Sequence, residues 1–175
     1  MGVINAKSGD NENVITHLAA KVGECLRQKG LFLASAESCT GGWLGQSVTA
    51  IAGSSAWYER GFITYSNSSK NELLNVSLVT LEKYGAVSEE TAQGMALGAQ
   101  KNSRAQVTVA ITGIAGPDGG SQVKPVGTVC FAWMLKDVTL TSETCRFNGD
   151  REYVRRQSVI KALNGILSLL SCSKV

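Results

Sequence analysis

The chain has 175 residues, of which 43% are hydrophobic and 18% charged, and its formal net charge at pH 7 is +3. This length and composition are typical of one globular domain that is large enough to bury a proper core. The charge is mild, no basic run or interleaved aromatic stripe suggests a nucleic-acid partner, and no apolar run approaches the length of a membrane span.

The amino terminus reads as a short polar segment ahead of one domain. Residues 1–10 are interpreted as a flexible tail and residues 11–175 as a single domain. The opening segment, MGVINAKSGDNENV, lacks the apolar stretch of a signal peptide. The five cysteines are odd in number and show no CxxC spacing, which favours reduced thiols and a cytoplasmic location over disulfides or a structural zinc.

Apolar periodicity and turn residues predict an alternation of helices and strands. From Asn11 to Lys29 the apolar residues recur at helical spacing, and Gly30 ends that helix. The run LFLASA predicts a buried strand that leads into the segment AESCTGG. The elements expected next are a helix over Trp43–Ile51, a strand within WYERGFITYS, short helices over Asn67–Leu74 and Thr80–Tyr84, and a long helix from Ser88 to about Ser103.

The second half continues the same alternation and closes with a helix. The run QVTVAITG predicts a strand, and the glycine-rich segment GIAGPDGGSQVKP a long loop. VGTVCFAWML and VTLTSETCRF are expected to pair as an antiparallel hairpin, and Asp150–Leu170 to form an amphipathic helix. The pattern therefore predicts an α/β layered fold around a mixed sheet, with any site carried by loops at the strand ends.

Two glycine-containing loops follow predicted inner strands. AESCTGG passes from a strand into a helix, so backbone N–H groups at the helix start can face an anion. TGIAGPDGG carries glycines that allow tight turns and a close ligand approach. Neither loop matches the Walker A or the dinucleotide fingerprint, and either alone reads as a simple turn. Together they favour a small ligand that bears a phosphate.

The serine, cysteine and threonine of AESCTGG raise the question of an activating base. The single histidine, His17, lies on the polar face of the first predicted helix, which argues against a Ser-His-Asp or Cys-His site and against a histidine-rich metal site. An activated hydroxyl would then need a lysine base. Lys70 is the best-placed candidate because it follows the strand end TYSN, although its spacing alone suggests an ordinary surface residue.

Six motifs in a fixed order carry a resemblance to a known family. They are AESCTGG, GSSAWYERGFITYSN with Lys70, GAVSEET, TGIAGPDGG, KPVGTV and GDREYVRRQ. Over roughly residues 11–170 the chain resembles the CinA C-terminal domain family in its stand-alone form, whose enzymes are nicotinamide-nucleotide amidohydrolases (NMN deamidases of the PncC type).

The resemblance implies a fold and an activity. The fold is a three-layer α/β/α sandwich around a mixed, mostly parallel sheet. The activity is the conversion of nicotinamide mononucleotide to nicotinate mononucleotide and ammonia, in pyridine nucleotide salvage, by a Ser/Lys mechanism with no metal and no cofactor. Apart from the resemblance, the size of the fold and its amphipathic terminal helix predict a homodimer, and the charge and hydropathy predict neither a nucleic-acid nor a membrane partner. The alternative is a family member with little or no turnover that acts as a nucleotide-binding or interaction module.

The resemblance also implies a set of site residues. Lys70 matches the family's lysine, Tyr65 and Thr112 match hydroxyl residues of the site, and Arg151 matches its arginine. Both Ser38 and Ser55 match family positions linked to the active site. We expect Ser38 to be the nucleophile because a hydroxyl at a strand end beside a helix N-terminus is both exposed and in a positive field, and Ser55 is the alternative.

The two loops are expected to supply the remaining contacts. Thr40, Gly41 and Gly42 would offer N–H donors either to the oxyanion or to the phosphate. The backbone of the second loop at Gly113 and Gly116 would hold the phosphate together with Arg151, and Arg155 is expected to share the face of Arg151. Cys39 is interpreted as a small buried hydrophobic residue. Glu37 either orients Lys70 or caps a helix.

Overall fold

The structure, a computed structural model, describes the backbone of residues 7–172 and the side chains of residues 14–170. In chain order its elements are α1 (Lys7–Lys29), β1 (Leu33–Glu37), α2 (Trp43–Thr49), a 3₁₀ turn (Ser54–Ala56), β2 (Tyr58–Ile63), α3 (Asn67–Leu74), α4 (Leu78–Tyr84), α5 (Glu89–Lys101), β3 (Val107–Gly113), β4 (Thr128–Leu135), β5 (Thr139–Arg146) and α6 (Arg151–Cys172). Every helix and strand predicted from the sequence is present.

The largest difference in element bounds lies at the first helix. Helix α1 begins at Lys7, whereas the sequence predicts its start at Asn11. The apolar stripe that carries the prediction begins only at Val14, so a polar first turn gives no periodic signal. Residues 7–10 are therefore helical rather than part of a tail, while residues 1–6 lie outside the described residues.

The five strands form one mixed sheet in the order β2-β1-β3-β4-β5. β1 pairs in parallel with β2 and with β3, and β4 pairs antiparallel with β3 and with β5. Four strands thus run in one direction and β4 runs against them. The predicted hairpin of β4 and β5 and the predicted mixed, mostly parallel sheet are both confirmed.

Helices cover both faces of the sheet, which confirms the predicted α/β/α sandwich. α1, α2 and α6 pack on one face, and α3, α4 and α5 form the layer on the other. The first layer buries a core of large residues that includes Leu33, Phe131 and Trp133. The second is built around small residues such as Ala36 and Ala110, against Met95 of α5. Each large apolar side chain fully buried in this way contributes about 1.5–3 kcal/mol.

The topology brings the predicted site loops to one edge of the sheet. Because β1, β2 and β3 are parallel, the turns that leave them meet at their carboxyl ends. These turns contain AESCTGG, the segment that leads into α3, and the glycine-rich loop 113–125. No helix between Lys7 and Cys172 combines the length and apolarity needed to cross a bilayer.

Candidate active site

The side chains of Ser38 and Lys70 meet just beyond the carboxyl end of β1. The Lys70 amine donates to the Ser38 hydroxyl, with 3.1 Å between Nζ and Oγ, and to the Thr64 carbonyl at 2.8 Å. Ser38 is 8% exposed and Lys70 only 1% exposed. The lysine that resembles a surface residue in the sequence is thus buried against the serine.

The local backbone explains how the two side chains come together. The Ser38 N–H donates to the Ile111 carbonyl at 2.9 Å, which extends the pairing of β1 and β3 by one residue. The hydroxyl of Ser66 accepts from the Ser69 N–H at 3.0 Å and the Ser69 hydroxyl from the Ser66 N–H at 3.1 Å. This capping box starts α3 right after β2 and sets Lys70 in its first turns, facing the sheet.

Burial lowers the pKa of Lys70 below its ordinary value of 10.5, because the charged ammonium loses its hydration; the nearby Cys39 thiol opposes the shift. No carboxylate pairs with the Lys70 amine within residues 14–170. An amine in this setting is neutral more often than a lysine in water, and a neutral amine that contacts a hydroxyl can accept its proton.

Glu37 caps α2 and does not orient Lys70. Its buried carboxylate accepts from the Thr40 hydroxyl at 2.7 Å. It also accepts from three backbone N–H groups at the helix start, those of Gly42, Leu44 and Gly45, at 3.0, 3.1 and 2.9 Å. A carboxylate at this position satisfies donors that a helix start otherwise leaves free, so the open alternative for Glu37 is decided in favour of the cap.

The N–H groups of Gly41 and Gly42 are not the free donors that the sequence suggested. Gly41 donates to the Ser38 carbonyl at 3.0 Å and Gly42 to Glu37. Both glycines have positive φ angles, 59° and 95°, which a residue with a side chain adopts at a cost. Among the described residues the Cys39 N–H faces only the sulfur of its own side chain, and no partner is found for the N–H of Thr40; both groups directly follow Ser38.

Cys39 behaves as the buried hydrophobic residue that the sequence predicts. It is 6% exposed and packs in the core on the α1, α2 and α6 side of the sheet. Burial raises the pKa of its thiol to about 12. The thiol is therefore protonated near neutral pH, and since the thiolate is the reactive form, Cys39 is a poor nucleophile.

Arg151 joins two of the loops at the rim. From the start of α6 its guanidinium donates to the Gly116 carbonyl at 2.8 Å and to the Tyr65 hydroxyl at 3.0 Å. Tyr65 is 63% exposed, and Arg151 is exposed as well. Arg151 thus contacts Tyr65, which the resemblance assigned to the site, and Gly116 of the predicted phosphate loop, and the arginine is accessible to an incoming anion.

The other predicted residues lie in different settings. Thr112 is buried and its hydroxyl donates to the Ala86 carbonyl at 2.7 Å, which ties β3 to the turn before α5. Gly113 ends β3. Ser55 is exposed in the 3₁₀ turn that precedes β2, whereas Ser38 lies at the strands' carboxyl ends. A strand of six residues spans about 20 Å, so Ser55 is remote from Lys70.

Thr64 was not predicted to belong to the site, and Arg155 was predicted only to share the face of Arg151. Thr64 lends its carbonyl to Lys70, and its fully buried hydroxyl has no partner among the described residues. Arg155 donates from Nε to the Cys39 carbonyl at 3.1 Å and from Nη2 to the Thr40 carbonyl at 2.9 Å. The only signals in the sequence were the position of Thr64 at a strand end and that of Arg155 one helical turn beyond Arg151.

The described part of the chain contains no group of three His, Cys, Asp or Glu side chains that could hold a metal ion. His17 is exposed on α1, as predicted. The polar groups at the strand ends are a hydroxyl, a buried amine, backbone N–H groups and an arginine. This set suits nucleophilic attack on a carbonyl and the binding of an anion.

The protein is thus an α/β/α domain in which a hydroxyl and a buried amine lie together where the parallel strands end. The family model for the CinA C-terminal domain matches residues 15–170. The chain therefore belongs to the CinA C-terminal domain family.

Relatives and a solved structure agree with this membership. The chain is 50% identical over 157 residues to the nicotinamide-nucleotide amidohydrolase PncC of Enterobacter agglomerans, covering 90% of this chain and 96% of that protein. It is 50% identical over 153 residues to the protein of the same name from Escherichia coli strain K12, covering 87% and 92%. The crystal structure of the competence/damage inducible protein CihA from Agrobacterium tumefaciens superposes with a TM-score of 0.88 at 40% identity, covering 97% of this chain and 99% of that one.

Proposed function

We propose that this protein hydrolyses the carboxamide of nicotinamide mononucleotide, giving nicotinate mononucleotide and ammonia, and that it serves pyridine nucleotide salvage. The chain is an amidohydrolase, since it is 50% identical to enzymes of that class over alignments that cover 90% and 87% of its length. The observation that carries the mechanism is the buried contact of 3.1 Å between Lys70 Nζ and Ser38 Oγ.

In the first half of the reaction the Ser38 oxygen attacks the carboxamide carbon while its proton passes to the neutral amine of Lys70. The carbonyl oxygen becomes an oxyanion that accepts from the N–H groups of Cys39 and Thr40, as in other sites where such donors follow the nucleophile. Collapse of this intermediate breaks the carbon–nitrogen bond. Lys70 returns the proton to the departing nitrogen, which leaves as ammonia, and Ser38 is left as an ester.

In the second half of the reaction a water molecule hydrolyses the Ser38 ester. Lys70, neutral again, takes a proton from a water molecule that attacks the ester carbon. The second tetrahedral intermediate collapses, the Ser38 oxygen recovers the proton from Lys70, and the free carboxylic acid loses its proton to solvent. The buried position of the amine supports this double role, because burial lowers the pKa of Lys70 and so raises the neutral fraction that can accept a proton.

The phosphate of the substrate is assigned to the rim of the site. Arg151 is exposed there, and its guanidinium presents a planar fork that suits a phosphate. The glycine-rich loop at Gly113 and Gly116 lies beside it and would supply backbone contacts. Tyr65, bound to Arg151, would flank the nucleotide, and Thr112 would hold the β3 side of the site through its bond to Ala86.

Ammonia release from nicotinamide mononucleotide by the purified protein tests this function, with chromatographic identification of nicotinate mononucleotide. Nicotinamide riboside and free nicotinamide serve as comparisons, because both lack the phosphate. Stoichiometric formation of ammonia and the acid supports the proposal. Tight binding of the mononucleotide without release between pH 6 and pH 10 would instead favour the alternative, a nucleotide-binding module.

The homodimer and the cytoplasmic location stay predictions from the sequence. Sedimentation of the purified protein at several concentrations measures the first, and fractionation of cells that express a tagged chain measures the second.

A further inference from the structure

We propose that Arg155 and Glu37 are positioning residues that aim the N–H groups of Cys39 and Thr40 at the oxyanion of the reaction. This inference rests on the proposed function, because it assumes that Ser38 attacks a carbonyl. It concerns two residues that touch neither the serine oxygen nor the lysine amine, and it follows from how they hold the turn that comes after β1.

Arg155 fixes two successive peptide units from the side of α6. It donates to the Cys39 carbonyl at 3.1 Å and to the Thr40 carbonyl at 2.9 Å, and its guanidinium lies 5.2 Å from the centre of the Trp43 ring. These peptide bonds are trans, so the carbonyl of one residue and the N–H of the next point in opposite directions. With its carbonyl held toward Arg155, the unit from Cys39 to Thr40 directs the Thr40 N–H away from α6.

The preceding peptide unit is fixed in the same manner. The Ser38 carbonyl accepts from the Gly41 N–H at 3.0 Å, so the Cys39 N–H points away from Gly41. The N–H groups of Cys39 and Thr40 are therefore each oriented by a hydrogen bond to the carbonyl of the same peptide unit. Arg155 holds the Cys39 carbonyl directly, and it also holds the Thr40 carbonyl, which belongs to the same peptide unit as the Gly41 N–H.

Glu37 fixes the same turn from the side of α2. Its carboxylate accepts hydrogen bonds from the Thr40 hydroxyl and from the N–H groups of Gly42, Leu44 and Gly45. The first donors of α2 are thus occupied, and the helix start has no free N–H at Gly42, Leu44 or Gly45 for a substrate phosphate. The backbone N–H groups that can still act as donors in this region are those of Cys39 and Thr40. They lie next to Ser38, where a rigid turn has the greatest effect on an oxyanion.

Donors to an oxyanion act mainly in the transition state. A change in the direction of these N–H groups should therefore lower kcat and leave ground-state binding nearly intact. We therefore compare Arg155→Met, Arg155→Lys and Glu37→Gln with the wild-type chain. Met keeps much of the stem but no donor, Lys keeps the charge but not the fork, and Gln keeps the shape and one acceptor oxygen. The readouts are kcat and KM for ammonia release, and the affinity for nicotinate mononucleotide.

We expect kcat to fall roughly 10- to 100-fold in Arg155→Met and Glu37→Gln, somewhat less than is typical when an oxyanion donor is deleted outright. KM and product affinity should change by no more than about threefold, and Arg155→Lys should recover part of the lost rate. Arg156→Met is the matched control, since Arg156 is the next residue on α6 and pairs with Glu152 instead of the turn. It should retain the wild-type rate.

Rates are divided by the number of product-binding sites, so that a fraction of unfolded chains does not count as a loss of rate. Wild-type kcat in both Arg155→Met and Glu37→Gln would overturn the inference, and so would a change confined to KM.

Burst release of nitrophenolate from 4-nitrophenyl acetate, dependent on Ser38, gives a second readout that does not need the nucleotide. If the wild-type chain shows this burst but releases no ammonia, the proposed substrate is rejected and the positioning role of Arg155 and Glu37 is not. If the bursts of the variants equal that of the wild-type chain, the positioning role is rejected and the proposed substrate is not. Absence of both activities in the wild-type chain rejects both proposals.

Discussion

Ser38 and Lys70 lie 3.1 Å apart between Oγ and Nζ, although 32 positions separate them in the chain. Ser38 follows β1 and Lys70 follows β2, and these strands are parallel neighbours. The pair is therefore assembled by a single β-α-β-α stretch of the chain. Its geometry depends on the register of β1 and β2 and on the capping box that starts α3.

Removing either member of the pair should abolish most of the activity. Ser38→Ala lacks the attacking oxygen, and Lys70→Arg keeps a positive charge but cannot act as a base near neutral pH. We expect each change to lower kcat for ammonia release by a factor on the order of 10³ or more, and the double variant to be scarcely slower than either single one. Product binding, measured by calorimetry, should persist in Ser38→Ala.

Ser55→Ala is the control for this experiment, because Ser55 is exposed at the amino end of β2. It should keep nearly the wild-type kcat. An inactive Ser55→Ala together with an active Ser38→Ala would move the nucleophile to Ser55, and a near-normal rate in Lys70→Arg would remove the lysine from the mechanism.

The rate should rise with pH as Lys70 loses its proton. The base must be neutral to accept the serine proton, and burial lowers the pKa of Lys70 below 10.5. We therefore expect kcat/KM to increase tenfold per pH unit on the acidic side and to level off above the lowered pKa, before pH 10.5 is reached. A profile that is flat or falls over this range would contradict the assignment of the base.

The same shift makes a prediction about folding. Between the lowered pKa of the native state and the ordinary 10.5 of the unfolded chain, Lys70 is neutral when folded and protonated when unfolded. The unfolded state then binds more protons, so the contribution of Lys70 to the free energy of unfolding rises with pH, by at most about 1.4 kcal/mol per pH unit.

Urea unfolding of the wild-type chain and of Lys70→Met at several pH values up to 10 measures this contribution. The stability advantage of Lys70→Met over the wild type should shrink as pH rises through the window. Lys101→Met, at an exposed position at the end of α5, should leave the pH slope unaltered. A difference between Lys70→Met and wild type that is constant with pH would show that the lysine titrates alike in both states.

Arg151→Ala should separate phosphate binding from chemistry. If the guanidinium holds the phosphate, KM for nicotinamide mononucleotide should rise roughly tenfold or more, since charge-assisted hydrogen bonds contribute about 1.5–3 kcal/mol. Turnover of nicotinamide riboside, which lacks the phosphate, should change little. Equal losses for the two substrates would indicate that Arg151 acts through Gly116 and Tyr65 on the shape of the site.

Activity should survive prolonged incubation with EDTA. Residues 14–170 hold no cluster of side chains suited to a metal ion, and the proposed steps need only Ser38, Lys70 and backbone donors. The rate of ammonia release before and after chelation and desalting is the measurement. Loss of the rate, followed by its return on addition of zinc or magnesium, would replace this mechanism with one that uses a metal.

The sequence predicted the elements and their layering well because these depend on local periodicity. Helix α3, for example, has the predicted bounds, since a serine cap and the turn residues around it act within a few positions. The burial of Lys70 could not be predicted, because its neighbours in SNSSKNE are polar and its surroundings come from the distant strands.

The donors at the turn after β1 show a second limit. The glycines of AESCTGG suggested free N–H groups, but the bonds within the turn occupy them. The N–H of Gly41 is taken by the Ser38 carbonyl and that of Gly42 by Glu37, while the carbonyls of the turn are held by Arg155, which lies 115 positions beyond Thr40. A pattern of residue types cannot record such a contact, because many side chains compete for the same carbonyls.

The contact between Arg155 and the turn also imposes an order on biosynthesis. Chains emerge from the ribosome amino end first, and the elements that bring Ser38 and Lys70 together are complete long before α6 has been made. Until α6 has been made, the carbonyls of Cys39 and Thr40 lack the guanidinium that holds them, and the core lacks buried residues such as Leu163 and Ile166. Docking of the last helix therefore completes both the core and the contacts of the turn after β1, so we expect a chain that stops before α6 to lack the fold as well as the aligned donors.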